Sequence, residues 1–550
     1  MNDSIEPPQR RLRSKLQFSV RTFVIAVTAA SVFIAVKRDW LRSLFEDSGR
    51  SIPADFDFSS KHALWNTPVG SRSLGSPIVA GDRLFVGTNN RRGLLERCPP
   101  TQDMGVLLCL DRTTGDLLWQ AATQQHSNRQ FSYPYLGQCG EPVVQEDRIW
   151  YINNRHELVC LDTEGFYDGE DDGLPCEIDS KWDRTKEADV VWQFDLIAEL
   201  GITPKEYCYV DCGNSPICSG DVLLCVTGHC HLGASLDEPS VEAPCFIAVN
   251  KNTGKLIWSN SSSSMGSRDV QTGTPVCANL GGVTQAIFPG GDGWLYSFDL
   301  KSLKNGKTNL LWKFDCNPKN ASWELDAKVQ RMALLCQPLI NDGKVYVATA
   351  NRSGVMREMT PAQIWCIDPT RRGDVSADIV VNQADLMTPI GDKLPSACDV
   401  AAGDVIKPNP NSAAIWRYDG VDKSNSAAIG FASCRNKLSI RDGMLVAVDD
   451  SGYVHSLNAK TGELYWTYDI LDSGSGSAVF TDDHILVPHP EGLTPIVFSK
   501  DANVATGNVN GANTILSPSE INATPAIADN KLYVLTNGSV YAIGDKDHKK

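Results

Sequence analysis

The segment Leu107–Trp119 reads LLCLDRTTGDLLW, and similar segments recur at Phe246–Trp258 (FIAVNKNTGKLIW) and Val454–Trp466 (VHSLNAKTGELYW). Each segment contains an apolar run, a turn at Thr-Gly and a second apolar run that ends in tryptophan. Short alternating runs bounded by turn residues are typical of β-strands joined by tight turns. The segment is therefore predicted to be a β-hairpin that the chain repeats.

The repeated unit also has a first half, in which a residue followed by proline opens a strand. Proline is tolerated there because its missing N–H removes no bond from the sheet. The pairs are Ser76-Pro77, Glu141-Pro142, Ser215-Pro216, Thr274-Pro275, Gln337-Pro338 and Thr524-Pro525. Copies of the unit begin near residues 75, 139, 213, 273, 335, 433, 476 and 522. We therefore predict an all-β chain of eight units, each a four-stranded antiparallel blade of a β-propeller.

Tryptophan returns at one place in the last strand of most units. The seven positions are Trp65, Trp119, Trp192, Trp258, Trp312, Trp416 and Trp466. A large flat ring buries on the order of 200 Å² and suits the space between two neighbouring sheets. These tryptophans are predicted to dock each blade against the next.

The two ends of the chain complement each other. The last unit stops after its third strand within Leu532–Ile543, and Ala63-Leu64-Trp65 is a fourth strand with no unit before it. Pairing the two would close the ring and remove two exposed sheet edges. We expect an eight-bladed propeller that is closed by its N-terminal strand.

The N-terminal region has the pattern of a membrane anchor. The predicted divisions are a basic cytoplasmic tail (1–15), a transmembrane signal anchor (16–36), a linker (37–59), the propeller (60–545) and a short tail (546–550). At about 1.5 Å per residue the apolar segment just crosses a bilayer core of about 30 Å. Positive charge before the segment predicts an inner-membrane, single-pass protein whose propeller lies on the periplasmic or extracytoplasmic side. A cleaved signal peptide is the alternative reading.

The net charge of −15 argues against a nucleic-acid partner, because phosphate binding needs clustered lysine and arginine. The chain contains no nucleophile elbow, zinc-protease or phosphate-loop motif. Long loops gather on one face of the predicted ring, where the loops between the fourth and first strands meet those between the second and third. Such loops on a rigid scaffold are the usual seat of binding. The candidate binding residues on this face are His126, Arg129, Tyr133, Asp211, Asn214, His229, His231, Arg268, Gln271, Arg331, Arg352 and Arg435.

Between about Ser60 and Gly544 the chain resembles the PQQ-like β-propeller proteins, which include quinoprotein alcohol dehydrogenases and the BamB-type outer-membrane assembly factor. The resemblance is carried by the repeats and by the segments at Phe288–Tyr296 (FPGGDGWLY), Val191–Asp195 (VWQFD) and Trp365–Pro369 (WCIDP). In the dehydrogenases of this family, adjacent disulfide-bonded cysteines, a tryptophan and a calcium ion hold pyrroloquinoline quinone (PQQ). This chain has no Cys-Cys pair and no Cys-x-x-Cys-His haem site. No cofactor is therefore expected, neither PQQ with calcium nor haem.

The seventeen cysteines divide into two groups. Six occupy strand positions that other units fill with small or apolar residues, and they are predicted to be structural thiols: Cys109, Cys160, Cys366, Cys218, Cys277 and Cys225. The other eleven lie mostly in loops, where disulfides remain open. Two long insertions, Thr163–Asp189 and Pro369–Ala413, interrupt the turn before the fourth strand. No metal site is predicted.

Two functional hypotheses follow from the sequence. The first is a membrane-anchored, monomeric, non-catalytic scaffold for a protein or polysaccharide partner. The alternative is an exported quinoprotein-type oxidoreductase or sugar-active enzyme with its site in the axial funnel.

Overall fold

The structure is a computed structural model. It describes residues 58, 62–125, 134–174, 183–202, 214–229, 243–263, 271–322, 329–350, 362–391, 393–420, 430–506 and 515–544. No helix within these ranges is long and apolar enough to cross a membrane. The predicted transmembrane segment 16–36, the tails 1–15 and 546–550, and almost all of the linker lie outside the described residues.

The described residues form 36 strands. The first eighteen are β1 (Ala63–Pro68), β2 (Ile78–Ala80), β3 (Arg83–Asn89), β4 (Met104–Asp111), β5 (Leu117–Gln124), β6 (Val143–Gln145), β7 (Arg148–Ile152), β8 (Glu157–Asp162), β9 (Val190–Asp195), β10 (Ile217–Ser219), β11 (Val222–Val226), β12 (Phe246–Asn250), β13 (Leu256–Asn260), β14 (Val276–Leu280), β15 (Val283–Pro289), β16 (Trp294–Asp299), β17 (Leu310–Asp315) and β18 (Leu339–Asn341).

The remaining strands are β19 (Lys344–Ala348), β20 (Ile364–Ile367), β21 (Gly373–Asp374), β22 (Asp378–Asn382), β23 (Asp385–Pro389), β24 (Asp404–Pro408), β25 (Ala414–Tyr418), β26 (Ser439–Arg441), β27 (Met444–Val448), β28 (Tyr453–Asn458), β29 (Leu464–Asp469), β30 (Val479–Phe480), β31 (His484–His489), β32 (Gly492–Val497), β33 (Ile515–Leu516), β34 (Ala526–Ala528), β35 (Lys531–Leu535) and β36 (Ser539–Ile543). The α-helices are α1 (Leu196–Leu200), α2 (Leu300–Leu303) and α3 (Ala502–Thr506). Single 3-10 turns lie at Gly165–Tyr167, Arg184–Lys186, Pro395–Ala397 and Val400–Ala402.

Four-stranded antiparallel sheets dominate the fold, as expected for a β-propeller. In chain order the sheets, here called sheets 1 to 8, are β2-β3-β4-β5, β6-β7-β8-β9, β10-β11-β12-β13, β14-β15-β16-β17, β18-β19-β20-β25, β26-β27-β28-β29, β30-β31-β32-β33 and β34-β35-β36-β1. The first strand of each sheet is called inner and the fourth outer. Inner strands of successive sheets approach each other, for example β6 with β10 and β10 with β14. The inner strands therefore surround the propeller axis.

The first and last strands of the propeller pair as the sequence predicted. In the antiparallel pair of β1 and β36, Trp65 lies opposite Ala542 and Thr67 opposite Val540. Strand β1 thus completes sheet 8, and the N-terminal end of the described chain is joined to its C-terminal end.

All seven predicted docking tryptophans lie in outer strands, and each faces a small residue on the third strand. Three of these partners are cysteines, since Trp119, Trp192 and Trp416 lie opposite Cys109, Cys160 and Cys366. The other four pairs are Trp65–Ala542, Trp258–Ala248, Trp312–Ser297 and Trp466–Ser456. The three cysteines are buried free thiols at these positions, in agreement with their predicted structural role.

Each indole docks on the sheet that follows. The Nε1–H of Trp192 donates to the carbonyl oxygen of Lys251 at 3.0 Å, in the third-to-fourth-strand turn of sheet 3. A Cβ atom at Gly254 of the same turn would lie 2.6 Å from the Trp192 ring. The Thr-Gly turn therefore carries glycine because the indole covers it. Trp65 and Trp416 make the same contacts with Gly115 and Gly462.

Trp312 docks through a relay. Its Nε1–H donates to Oε1 of Gln285 at 2.8 Å, and Nε2 of Gln285 donates to the carbonyl oxygen of Pro369 in sheet 5 at 2.9 Å. The apolar core continues across the same boundary, because Ile287 of sheet 4 and Val345 of sheet 5 are buried in one cluster.

Both predicted insertions lie along the outer strand of the preceding sheet. In the second insertion, β21 pairs in parallel with β17, and β22, β23 and β24 form a separate three-stranded sheet. In the first, the N–H of Ala188 donates to the carbonyl oxygen of Gln120 in β5 at 2.9 Å. The insertions thus cover sheet edges that would otherwise be open, which limits edge-to-edge association.

All thirteen cysteines within the described residues are free thiols. Cys109, Cys160, Cys225 and Cys366 are buried, whereas Cys218 and Cys277, on inner strands, are only half-buried. Burial raises the pKa of Cys366 to about 11, so that thiol is a packing residue and not a nucleophile. Cys176, Cys208, Cys212 and Cys230 lie outside the described residues.

Candidate functional site

The predicted loop-face residues are distributed unevenly. Those outside the described residues are His126, Arg129, Tyr133, Asp211, His231, Arg268 and Arg352. Asn214, His229, Gln271 and Arg331 are buried, and Arg435 is exposed. Of the described candidates, only Arg435 lines the cavity beside the inner strands of sheets 6, 7 and 8, here called the axial cavity.

The buried candidates support loops around sheets 3 and 4. The guanidinium of Arg331 binds both carboxylate oxygens of Asp315, at 2.6 and 3.0 Å, and donates to the carbonyl oxygen of Asp292 at 3.2 Å. The Asn214 amide donates to the carbonyl oxygen of Val226 at 3.1 Å. The side chain of Gln271 is fully buried.

A Tyr-His-Asp chain between sheets 5 and 6 has the residue types of a catalytic triad. Tyr418 and His455 share a hydrogen bond of 2.9 Å, and His455 lies 3.3 Å from Asp449. The His455 and Asp449 side chains are both 0% exposed. A substrate has no access to them, so this series of hydrogen bonds connects sheets 5 and 6.

One polar residue precedes every inner strand by two positions. The eight residues, here called the axial ring, are Ser76, Glu141, Ser215, Thr274, Gln337, Lys437, Ser477 and Thr524. Neighbouring members are linked, since the N–H of Glu141 donates to the Ser215 hydroxyl at 2.9 Å and that of Lys437 to the Ser477 hydroxyl at 2.8 Å. The N–H of Ser477 continues the series to Thr524 Oγ1 at 2.9 Å. The ring therefore joins inner strands through backbone N–H groups and side-chain hydroxyls.

Glu141 and Lys437 connect sheets that are far apart in the chain. The Lys437 ammonium lies 2.6 Å from a Glu141 carboxylate oxygen, although the residues belong to sheets 2 and 6. The Glu141 side chain is 21% exposed and the Lys437 side chain is 43% exposed. Burial by itself would raise the pKa of Glu141, but the Lys437 charge and hydrogen bonds from Lys437 and Ser76 hold it below its ordinary value. The ion pair spans the axis.

A cavity of about 380 Å³ opens at the axial ring beside sheets 6, 7 and 8. Its lining includes Arg435, Lys437, Asp450, Ser475 and Glu141. Nε of Arg435 lies 3.1 Å from Asp450, and burial raises the pKa of Asp450 although Arg435 opposes the shift. The Ser475 hydroxyl is buried and has no hydrogen-bond partner among the described residues.

The cavity contains free hydrogen-bond donors. Glu141 and Asp450 already accept from Lys437 and Arg435. The two terminal nitrogens of Arg435 have no hydrogen-bond partner among the described residues. Lys437 uses one of its three N–H groups on Glu141. A carboxylate is the complementary ligand group, because a guanidinium presents two parallel N–H groups to it.

The described lining does not suit PQQ. None of its residues is aromatic, so a planar quinone has no ring on which to stack. No three histidine, cysteine or acidic residues within the described ranges are arranged to hold a metal ion.

Sequence reasoning did not identify Glu141 and Lys437 as site residues. A signal was present, because both occupy the position two residues before the inner strand, where five other units carry serine or threonine. The contact between them depends on which sheets face each other across the axis, which no local pattern contains.

Comparisons with solved structures identified several similar proteins. The chain is similar to BamB from Moraxella catarrhalis (12% identity, 87% of this chain and 98% of that chain, TM-score 0.48). It is also similar to a computationally designed protein, Ika8 (10% identity, 88% and 99% covered, TM-score 0.46). It is similar as well to the quinohemoprotein alcohol dehydrogenase from Comamonas testosteroni (11% identity, 89% of this chain and 77% of that chain, TM-score 0.50). At this identity the similarity supports the fold alone. No curated protein sequence matches.

The sequence profile of one family matches residues 30–165 and 401–547, which together are more than half of the chain. That family is described as outer membrane protein assembly factor BamB. Because the match covers the repeats at both ends of the propeller, the chain belongs to this family of PQQ-like β-propeller proteins.

Proposed function

We propose that this protein is a non-catalytic binding scaffold for a protein partner, with eight blades in a closed ring on the extracytoplasmic side of a membrane. Membership of a family named for outer-membrane protein assembly supports an extracytoplasmic, partner-binding role. The apolar segment 16–36 supports a single-pass anchor in the inner membrane. Eight sheets within the described residues and the pairing of β1 with β36 support the ring.

The axial cavity carries the proposal. Its lining includes the Glu141–Lys437 ion pair, and its free groups include donors of Arg435, Lys437 and Ser475. A site that performed redox chemistry would need a cofactor held by a stacking ring or a metal, and the described lining offers neither. We infer that a partner protein places a carboxylate of an acidic side chain or of its C-terminus in this cavity.

Site-specific crosslinking of the full-length, membrane-embedded chain tests this function. A photo-crosslinking residue at Asn436, which lines the cavity, should capture one discrete protein, and the same residue at Thr467 on the outer strand of sheet 6 should not. Arg435→Gln should reduce the yield from Asn436 at least fivefold. Arg417→Gln is the matched control, because Arg417 is 46% exposed and near Asp419, much as Arg435 is 51% exposed and near Asp450.

Two results would contradict the proposal. One is an equal crosslinking yield in the Arg435→Gln and Arg417→Gln variants. The other is dye reduction by the purified full-length chain that depends on added quinone, which would favour an oxidoreductase.

A further inference from the structure

Beyond Gln120, the outer strand of sheet 1 pairs with no further strand among the described residues. Hydrogen bonds alternate along an antiparallel strand, so every second residue turns its N–H and C=O away from the neighbouring strand. In β5 the carbonyl of Gln120 points outward, since it accepts from Ala188, and the N–H of Gln125 points inward to Asp103. Ala122 and Gln124 therefore point outward. Neither backbone has a hydrogen-bond partner among the described residues.

A segment of the protein's own chain, at Glu187 and Ala188, lies along the first part of this edge of sheet 1 and then turns away from it. Gln120 and Glu187 form a parallel bridge, and the chain then turns into β9 after Ala188. The corresponding edge of sheet 4 is covered further along. There β21 pairs with Trp312 and Lys313, and the Ser376 hydroxyl accepts from the N–H of Asp315 at 2.9 Å. Within the part of the chain that the structure describes, sheet 1 is thus covered only as far as Gln120.

A groove of about 620 Å³ adjoins the open part of this edge. It lies between β5 and the strands β8 and β9 of sheet 2, and its lining includes Tyr151, Val159 and Leu161, each of which is almost fully buried. Arg155 and Gln193 add polar groups. Arg97, which is 2.7 Å from Glu187, lies at the end already occupied by the chain. The groove therefore has both apolar and polar lining residues and lies beside backbone groups that have no partner among the described residues.

We propose that this groove binds an extended segment of a partner protein, which adds a strand to sheet 1 beyond Gln120. Strand addition uses backbone hydrogen bonds for affinity and alternate side chains for selectivity. The orientation is parallel to β5, because the Glu187–Ala188 segment has that direction. This inference does not depend on the axial cavity, which lies at the inner strands.

A peptide probe tests the proposal on the full-length chain in detergent. The probe is a fluorescent heptapeptide of alternating threonine and valine, and its control carries N-methyl groups on alternate amides. We expect saturable binding of the probe by fluorescence anisotropy, and at least tenfold weaker binding of the N-methylated peptide.

The matched variants are Ala122→Pro and Thr467→Pro. Both residues lie in outer strands, and both N–H groups point outward; for Thr467 this follows from Ile470, directly after its strand, whose N–H points inward to Gly452. Proline at such a position removes no bond within the sheet. Ala122→Pro should weaken probe binding at least tenfold, and Thr467→Pro should leave it unchanged.

Hydrogen exchange of the unmodified protein provides a measurement that does not depend on variant folding. The probe should slow exchange in β5 and leave β29 unaffected. Equal affinity of both proline variants, equal affinity of the N-methylated peptide, or unchanged exchange in β5 would overturn the proposal. Protection of β5 by dimerisation of the chain without peptide would overturn it as well, because the occupant would then be a second copy.

Discussion

The environment of the Asp292 carboxyl group disfavours its ionised form. The residue is 5% exposed, and its carboxylate accepts from the Tyr296 hydroxyl at 2.6 Å and from the N–H of Trp294 at 3.1 Å. Burial raises the pKa of Asp292 to about 6, although the hydrogen bond from Tyr296 and the nearby Arg331 oppose the shift. Between its unfolded and folded pKa values the folded chain keeps a proton that the unfolded chain has released. Stability therefore falls as pH rises through this window.

Asp292→Asn should abolish this loss. Relative to the variant, the unfolding free energy of the unmodified protein should fall by about 2 to 3 kcal/mol as the pH rises from 4 to 6. Above about pH 6 it should fall no further. Urea denaturation across that pH range measures the difference. Glu141→Gln is the control of opposite sign, because the folded pKa of Glu141 is lowered. There the unmodified protein should lose stability relative to the variant as pH falls. A pH-independent difference for Asp292→Asn would contradict the prediction.

At the scale of elements, the contact between sheets is made by an indole over a glycine turn. Gly254 has a φ of +68°, and its missing Cβ leaves room for Trp192 of the preceding sheet. Gly343 has the same φ of +68°, but nothing lies within 4 Å of the position that its Cβ would take. The two glycines therefore have the same backbone conformation, but only Gly254 is covered by an indole.

Gly254→Ala should destabilise the protein more than Gly343→Ala. Both variants incur about 1 to 2 kcal/mol for a left-handed alanine, and Gly254→Ala should add about 1 to 3 kcal/mol because the methyl group overlaps the indole. Thermal or urea unfolding of the two variants, measured side by side, gives the difference. Equal losses would mean that the indole does not rest on this turn.

At the scale of the whole molecule, β1 joins the two ends of the propeller. Thr67 faces Val540, and its hydroxyl donates to the carbonyl oxygen of Gly115 at 2.6 Å. The N–H of Val69 points inward, to Gly538, so by alternation the N–H of Thr67 belongs to the ladder and that of Asn66 points outward. Pro68 already occupies an outward position at this edge.

Thr67→Pro should open the ring, whereas Asn66→Pro should leave it closed. The first variant removes a ladder bond and should lower the unfolding free energy by about 3 kcal/mol or more. Limited proteolysis should then release the N-terminal segment up to β1. Thr67→Val measures the loss of the hydroxyl contact separately. Equal protease resistance of the two proline variants would show that β1 does not hold the ring together.

The strands of the repeated units, their order, the docking tryptophans and the pairing of the chain ends were predictable from the amino-acid sequence. These features depend on local alternation, on turn residues and on a unit that recurs with the same spacing, so each copy supports the interpretation of the others. The small residues opposite the tryptophans, such as Cys109 and Cys160, belong to the same register and were predictable for that reason.

Only the tertiary structure decided which side chains meet. Arg331 looks like a binding residue in the sequence but is buried against Asp315, whereas Glu141 and Lys437 look unremarkable and meet across the axis. The insertions likewise extend a sheet edge that belongs to another repeat. The physical reason is that such contacts join residues far apart in the chain. They exist only once the sheets surround a common axis, and the periodicity of a single repeat carries no information about its opposite neighbour.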